Sequence, residues 1–118
     1  MQQPRFIEQS GKRILYLDLA HASPGQKAEA MRSAAGIIAA EPPGSVLLLL
    51  DVTGAGLSDD AEAAVKEFGE RTAPHVKARA LVGATGLKKL LYARLQVARG
   101  GQAVFDDLGV AREWLARQ

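Results

Sequence analysis

The run Ser45-Val46-Leu47-Leu48-Leu49-Leu50-Asp51-Val52 decides the reading of this chain. Its apolar stretch, Val46 to Leu50, is far shorter than the roughly 20 residues that span a bilayer. It has no polar alternation, so it suits a strand buried on both faces of a parallel sheet. Such a strand needs helices above and below it, and the flanking sequence supplies them. Upstream, Ser23-Pro24-Gly25-Gln26 places a capping serine, a proline at the first helical position and a glutamine at the third. The helix so begun carries Ala28, Met31, Ala34, Ala35 and Ile38 on one stripe, and Pro42-Pro43-Gly44 stops it. Downstream, Ser58 caps a second helix whose first turn holds Asp59, Asp60 and Glu62, acids that complement the positive end of the helix dipole. Its stripe is Ala61, Ala64, Val65 and Phe68, and Pro74 ends it.

Further out, Arg5 to Gln9 and Arg13 to Ala20 read as two strands joined through Ser10-Gly11-Lys12. In the second, Ile14, Tyr16 and Asp18 alternate with Leu15, Leu17 and Leu19. Ala78 to Val82 is a strand, Gly83-Ala84-Thr85-Gly86 opens a helix from Leu87 to Arg99, and Gly100-Gly101 closes that helix. Ala103 to Phe105 is a short strand, and Asp106 or Asp107 caps a final helix with Leu108, Ala111, Trp114 and Leu115 inward. The expectation is an α/β fold, ordered β-β-α-β-α-β-α-β-α, with a five-stranded, mostly parallel sheet and an N-terminal hairpin. Ligands of such sheets bind beyond the carboxyl ends of the strands, which singles out the loops Ala20 to Ser23, Thr53 to Ser58 and Gly83 to Gly86.

The chain has 118 residues, room for one hydrophobic core, so a single domain over 1–118 is expected. Apolar residues make up 47% and charged residues 24%, the usage of an ordinary globular domain. Without cysteine there is neither a disulfide framework nor a thiolate site. Met1 to Ile7 lacks the apolar core of a secretory signal, so a cytoplasmic protein is expected, with membrane contact no more than peripheral.

The order of elements and four short motifs resemble the SpoIIAA-like group of the STAS superfamily, small βα domains related to anti-sigma-factor antagonists and grouped with CRAL-TRIO lipid-transfer folds. The motifs are Ile14-Leu15-Tyr16-Leu17-Asp18, Leu48-Leu49-Leu50-Asp51-Val52-Thr53-Gly54, Val82-Gly83-Ala84-Thr85-Gly86-Leu87-Lys88-Lys89, and Phe105-Asp106-Asp107 followed by Ala111 and Trp114-Leu115. The resemblance implies a SpoIIAA-like βα superhelix and a regulatory or small-ligand-binding role, with apolar or lipid ligands. Aligning Asp51-Val52-Thr53-Gly54 with the antagonists' phosphorylation pattern puts Asp59 on the family's aspartate and Asp60 on its phosphorylatable serine. That position then carries constant negative charge, and a phospho-switch would need the nearby Ser58 or Thr53 instead; Ser58, whose plain reading is a helix cap, is the phosphorylation candidate.

Charge is unevenly spread. Asp51 to Glu70 holds six acids and one base, whereas Arg71 to Phe105 holds seven bases and no acid. Lys88, Lys89, Arg94 and Arg99 lie on the helix expected over Leu87 to Arg99. At about 100° per residue Arg94 falls within that helix's apolar sector, among Leu87, Leu90, Leu91 and Leu95. An arginine there snorkels, pairs with an acid such as Asp18 or Asp51, or lines a cavity that takes an anionic head group.

The expectation is therefore a non-enzymatic binding domain. Its ligand would be a small apolar or lipid-like anionic molecule bound by Thr53, Gly54, Leu57, Leu90, Leu91, Tyr92, Arg94 and Leu95. Anion or membrane contact would come through Lys88, Lys89, Arg94 and Arg99. The alternative is a protein-interaction domain that works as anti-sigma antagonists do, through the acidic second helix. The apolar residues of the Leu87 to Arg99 helix read equally as a homodimer seam.

Catalysis and cofactors are not expected. His21 and His75 lack metal-ligand spacing, and a set of His21 with Asp18, Asp51 or Asp59 and Thr53 or Ser58 has no nucleophile turn to support it. Gly83 to Gly86 is too short before Lys88-Lys89 for a P-loop. With 5% aromatics and no recognition signature, nucleic acid is not an expected partner despite a pI near 9.2.

Overall fold

The computed structural model describes residues 4–54, 59–84 and 102–118, with backbone alone over 59–62. Its elements are β1 (Arg5–Gln9), β2 (Lys12–Asp18), α1 (Pro24–Ala39), β3 (Val46–Asp51), α2 (Asp59–Thr72), β4 (Val76–Val82), β5 (Gln102–Phe105) and α3 (Leu108–Ala116). The helix expected over Leu87 to Arg99 lies outside the described residues.

The strands form one sheet in the order β1-β2-β3-β4-β5. β1 pairs antiparallel with β2 through a tight turn in which Ser10 and Gly11 both have positive φ, and the other pairings are parallel. This is the expected architecture. Strand ends shift by one or two residues from the sequence reading: β2 stops at Asp18 because the Asp18 carboxylate turns back to accept the amide of Ala20 (3.1 Å), and β4 begins at Val76.

β3 is the middle strand, and Val46 to Leu50 are all buried. Leu48 and Leu50 face a core made with Leu15, Leu17, Leu81 and the inner faces of α1 and α2. Leu47 and Leu49 face a second core with Ile14, Tyr16, Ala78, Ala80, Ala111 and Leu115. The sheet is thus sandwiched, with α1 and α2 on one side and α3 on the other. Each fully buried leucine contributes about 1.5–3 kcal/mol of transfer free energy. Ala78 and Ala80 on β4 keep the surface under α3 low enough for that short helix to sit close, and Phe105 and Trp114 close its rim with tilted rings 5.7 Å apart.

α1 starts as its sequence dictates: Ser23 Oγ accepts the amide of Gln26 (3.2 Å), and Gln26 Oε1 accepts the amide of Ser23 (3.0 Å). Its buried stripe is rotated slightly from expectation. Lys27 and Ala30 are buried with Met31, Ala34, Ala35 and Ile38, while Ala28 is half-buried. Positions 27, 31, 34 and 38 lie on one helical line, so the line, and not the polarity of residue 27, determined its placement.

A second charged residue was misjudged by sequence. Arg79, counted above with the basic half of the chain, is 1% exposed and sits inside β4, opposite Leu48 on β3 and Gln102 on β5. Burial pushes its pKa down to about 10. Strand register places it: β4 is buried on both faces from Ala78 onward, so whichever residue occupies that position is interior.

Two substitutions separate these contributions in urea unfolding. Leu49→Ala is expected to cost about 2–5 kcal/mol, as for other leucines removed from a closed core. Ser23→Ala, which removes half of the capping box, is expected to cost about 1 kcal/mol.

Candidate functional site

The carboxyl ends of β2, β3 and β4 meet at one edge, and the described parts of the loops singled out by sequence, Ala20 to Ser23, Thr53-Gly54 and Gly83-Ala84, lie there. Asp18 and Asp51 are register partners at the ends of β2 and β3. Both carboxylates organise the backbone that follows them. Asp18 Oδ1 accepts the amide of Ala20, while Asp51 Oδ1 accepts both the amide of Thr53 (3.1 Å) and the hydroxyl of Thr53 (2.7 Å). An aspartate that binds the amide two residues ahead is an Asx turn, and here it converts strand into loop twice at the same level of the sheet.

The loops are then tied across. The amide of Leu19 bonds to the carbonyl of Asp51 (2.8 Å), that of His21 to Thr53 (2.8 Å), that of Val52 to Val82 (2.9 Å) and that of Gly83 to Phe105 (3.1 Å). His21 has φ of 60°, which turns its ring onto Gly54. Thr53 lies against Gly83 in the same way. Gly83 has φ of 79°, and a Cβ there would lie 2.9 Å from Thr53 Cα and Cβ and collide with Oγ1; one on Gly54 would meet the His21 ring. These two glycines are required by close approach as much as by backbone angle.

Electrostatically this part of the edge is acidic. Tyr16, one strand pleat below Asp18 on the same face, has its phenol pKa raised, first by burial and then by the charges of Asp18 and Asp51. Arg5, whose guanidinium lies 5.2 Å from the ring centroid, and Arg112 pull the other way.

Of the residues expected to bind a ligand, Thr53 and Gly54 stand exposed at this edge. Leu57, Ser58, Lys88, Lys89, Leu90, Leu91, Tyr92, Arg94, Leu95 and Arg99 lie outside the described residues. The two histidines are at opposite ends of the sheet. His21 is at the carboxyl end, whereas His75 precedes β4 and bonds through Nδ1 to the carbonyl of Glu41 (2.8 Å). Their separation removes any two-histidine metal site, and no group of three or more metal-ligating side chains occurs among the described residues. His21 approaches Asp18 and Asp51 along the chain, but its ring contacts Gly54 and makes no hydrogen bond to either carboxylate among the described residues.

The outer surface adds a feature that sequence reasoning missed. Between α1 and α2 lies a shallow, open crevice lined by Met31, Ala35, Ala64 and Phe68 and by Arg32, Glu67 and Arg71. Helical spacing places the apolar residues inward, and Ala35 of α1 and Ala64 of α2, both small, line the gap together. A reading of one helix at a time does not reveal such a pairing.

In overall shape the chain is similar to an uncharacterised DUF3478-family protein from Shewanella loihica PV-4, whose crystal structure has a SpoIIAA-like fold. The TM-score is 0.69 at 17% sequence identity, over 95% of this chain and 91% of that one. This chain has a SpoIIAA-like fold. No protein-family model matches the sequence, and no curated protein does. The SpoIIAA-like fold agrees with the expected α/β element order and N-terminal hairpin. No helix among the described residues is long and apolar enough to cross a membrane.

Two measurements test this edge. Gly83→Ala is expected to destabilise the protein by about 2 kcal/mol or more in urea unfolding, since it combines a disfavoured φ with a clash against Thr53. In ultraviolet titration Tyr16 ionises above the ordinary tyrosine range, and Asp18→Asn with Asp51→Asn lowers its pKa; an unchanged titration contradicts the placement of the two carboxylates.

Proposed function

We propose that this SpoIIAA-like domain is a non-enzymatic binding module. The observation that carries the reading is the use already made of the polar groups at the carboxyl edge. Asp18 holds a loop amide, Asp51 holds both Thr53 donors, and His21 packs on Gly54, so these groups serve architecture and are not set against one another as acid, base and nucleophile.

The proposed ligand is a small apolar or lipid-like molecule with an anionic head, or the anionic surface of a membrane. Support comes from Lys88, Lys89, Arg94 and Arg99 in a stretch, Arg71 to Phe105, that holds no acid, and from the apolar residues Leu90, Leu91 and Leu95 that flank Arg94 in sequence. The acidic pair Asp18 and Asp51 adds a constraint on orientation. An anionic head is repelled from Thr53 and Gly54, so the apolar part of the ligand would lie toward those residues and the head toward Lys88, Lys89, Arg94 and Arg99. A partner-protein role, as in the anti-sigma antagonists, is the second reading, and the crevice between α1 and α2 favours it.

Co-sedimentation with vesicles of mixed phosphatidylcholine and phosphatidylglycerol tests the membrane form of the proposal. Binding is expected to fall with added salt and to be lost in Lys88→Glu with Lys89→Glu. Equal binding by the double variant overturns it.

A further inference from the structure

We propose that the carboxyl ends of β2 and β3 form a site for a hard divalent cation of the Mg²⁺ class, held between the carboxylates of Asp18 and Asp51 with the hydroxyl of Tyr16 beside it. Such a site stands whether or not the amphipathic ligand proposed above binds.

Strand register assembles the site. Asp18 and Asp51 are partners at the ends of two parallel strands, so their side chains leave the same face of the sheet from backbones about 5 Å apart. That face is the one α3 covers, because Tyr16 and Leu49, two residues before each aspartate, belong to the core beneath that helix. Both aspartates are half-buried. Each is bonded through Oδ1 alone, Asp18 to the amide of Ala20 and Asp51 to the amide and hydroxyl of Thr53. Both Oδ2 atoms are left without a hydrogen bond, and neither aspartate is in an ion pair, among the described residues. Two like charges on neighbouring strands repel unless a cation stands between them.

Tyr16 points into the same place. It is only 9% exposed, yet its hydroxyl makes no hydrogen bond among the described residues, whereas a buried hydroxyl is ordinarily bonded. Burial raises its pKa first, and the charges of Asp18 and Asp51 raise it further, so the phenol lies within reach of both carboxylates. The cations around it act elsewhere. Arg5 stacks 5.2 Å from the ring centroid and Arg112 approaches from α3, and neither pairs with Asp18 or Asp51.

The donors select the class of ion. Mg²⁺ retains much of its hydration shell and is commonly held by one or two carboxylates, with water in the remaining positions. Two aspartates therefore suffice for it, although they are fewer than the three-residue groups absent from the described residues. Zinc prefers nitrogen or sulfur donors, and His21, three residues after Asp18, has its ring against Gly54. The Thr53 hydroxyl, donating to Asp51 Oδ1, steadies that carboxylate, and the Tyr16 hydroxyl can accept from a water on the ion.

Isothermal titration of the full chain with magnesium chloride alone, at constant ionic strength, tests the proposal. Saturable binding of a single ion is expected. It should weaken about tenfold or more in Asp18→Asn and in Asp51→Asn, and less steeply in Tyr16→Phe. Asparagine keeps the oxygen that accepts the loop amide, so both variants should melt with the wild type. Glu67→Gln with Glu70→Gln, which removes two acids from α2, should leave the affinity within about twofold. In the wild-type chain, Mn²⁺ used as a paramagnetic probe should broaden the amide resonances of Ala20 and Thr53 before those of α2. Absence of saturable Mg²⁺ binding, equal losses in the α2 variant and the aspartate variants, or broadening that begins on α2 overturns the proposal.

Discussion

Everything in this fold depends on burying one strand from both sides. Val46 to Leu50 have no solvent-facing alternate, so β3 is stable only with a helical layer over each face of the sheet. α1 and α2 supply one layer and α3 the other. The short side chains of Ala78 and Ala80 follow from the same requirement, because α3 has only nine residues with which to cover its side. The candidate site's edge is a further consequence: parallel strands that end together bring Asp18, Asp51 and Val82 to a common level.

At that level the chain uses acids to end strands. Asp18 and Asp51 both bind the amide two residues on, and they do so side by side; after burial, their charges are the next causes of the raised pKa of Tyr16. The loops are then packed so closely that Gly54 and Gly83 have no room for a side chain. The result is a firm, acidic platform with Thr53 at its surface. Under the proposed function such a platform would orient a ligand's apolar part and repel an anionic head.

The sequence disclosed most of the architecture because its local signals agree with one another. The Ser23-Pro24-Gly25-Gln26 box, the Asp107 cap and the Ser10-Gly11 turn each appear where local chemistry places them. Charged residues inside the fold were harder to read. Lys27 and Arg79 are polar by identity and interior by position, and their placement depends on helical phase and strand register set by residues far along the chain. Among the expected site residues, Thr53 and Gly54 are exposed at the edge. The contacts that define it, Thr53 on Gly83 and His21 on Gly54, join loops about 30 residues apart and leave only a trace in sequence: a glycine just beyond the end of a strand. The crevice between α1 and α2 left no trace of that kind, being lined from two different helices.

The account centres on binding at this edge by an amphipathic, anionic molecule, and native mass spectrometry of freshly purified protein tests it most directly. The account predicts a population heavier than the 12.5 kDa chain by the mass of a fatty acid or phospholipid, which organic extraction removes and Arg94→Ala diminishes. A single species at the mass of the bare chain, unchanged after incubation with fatty acid or phosphatidylglycerol, would contradict it.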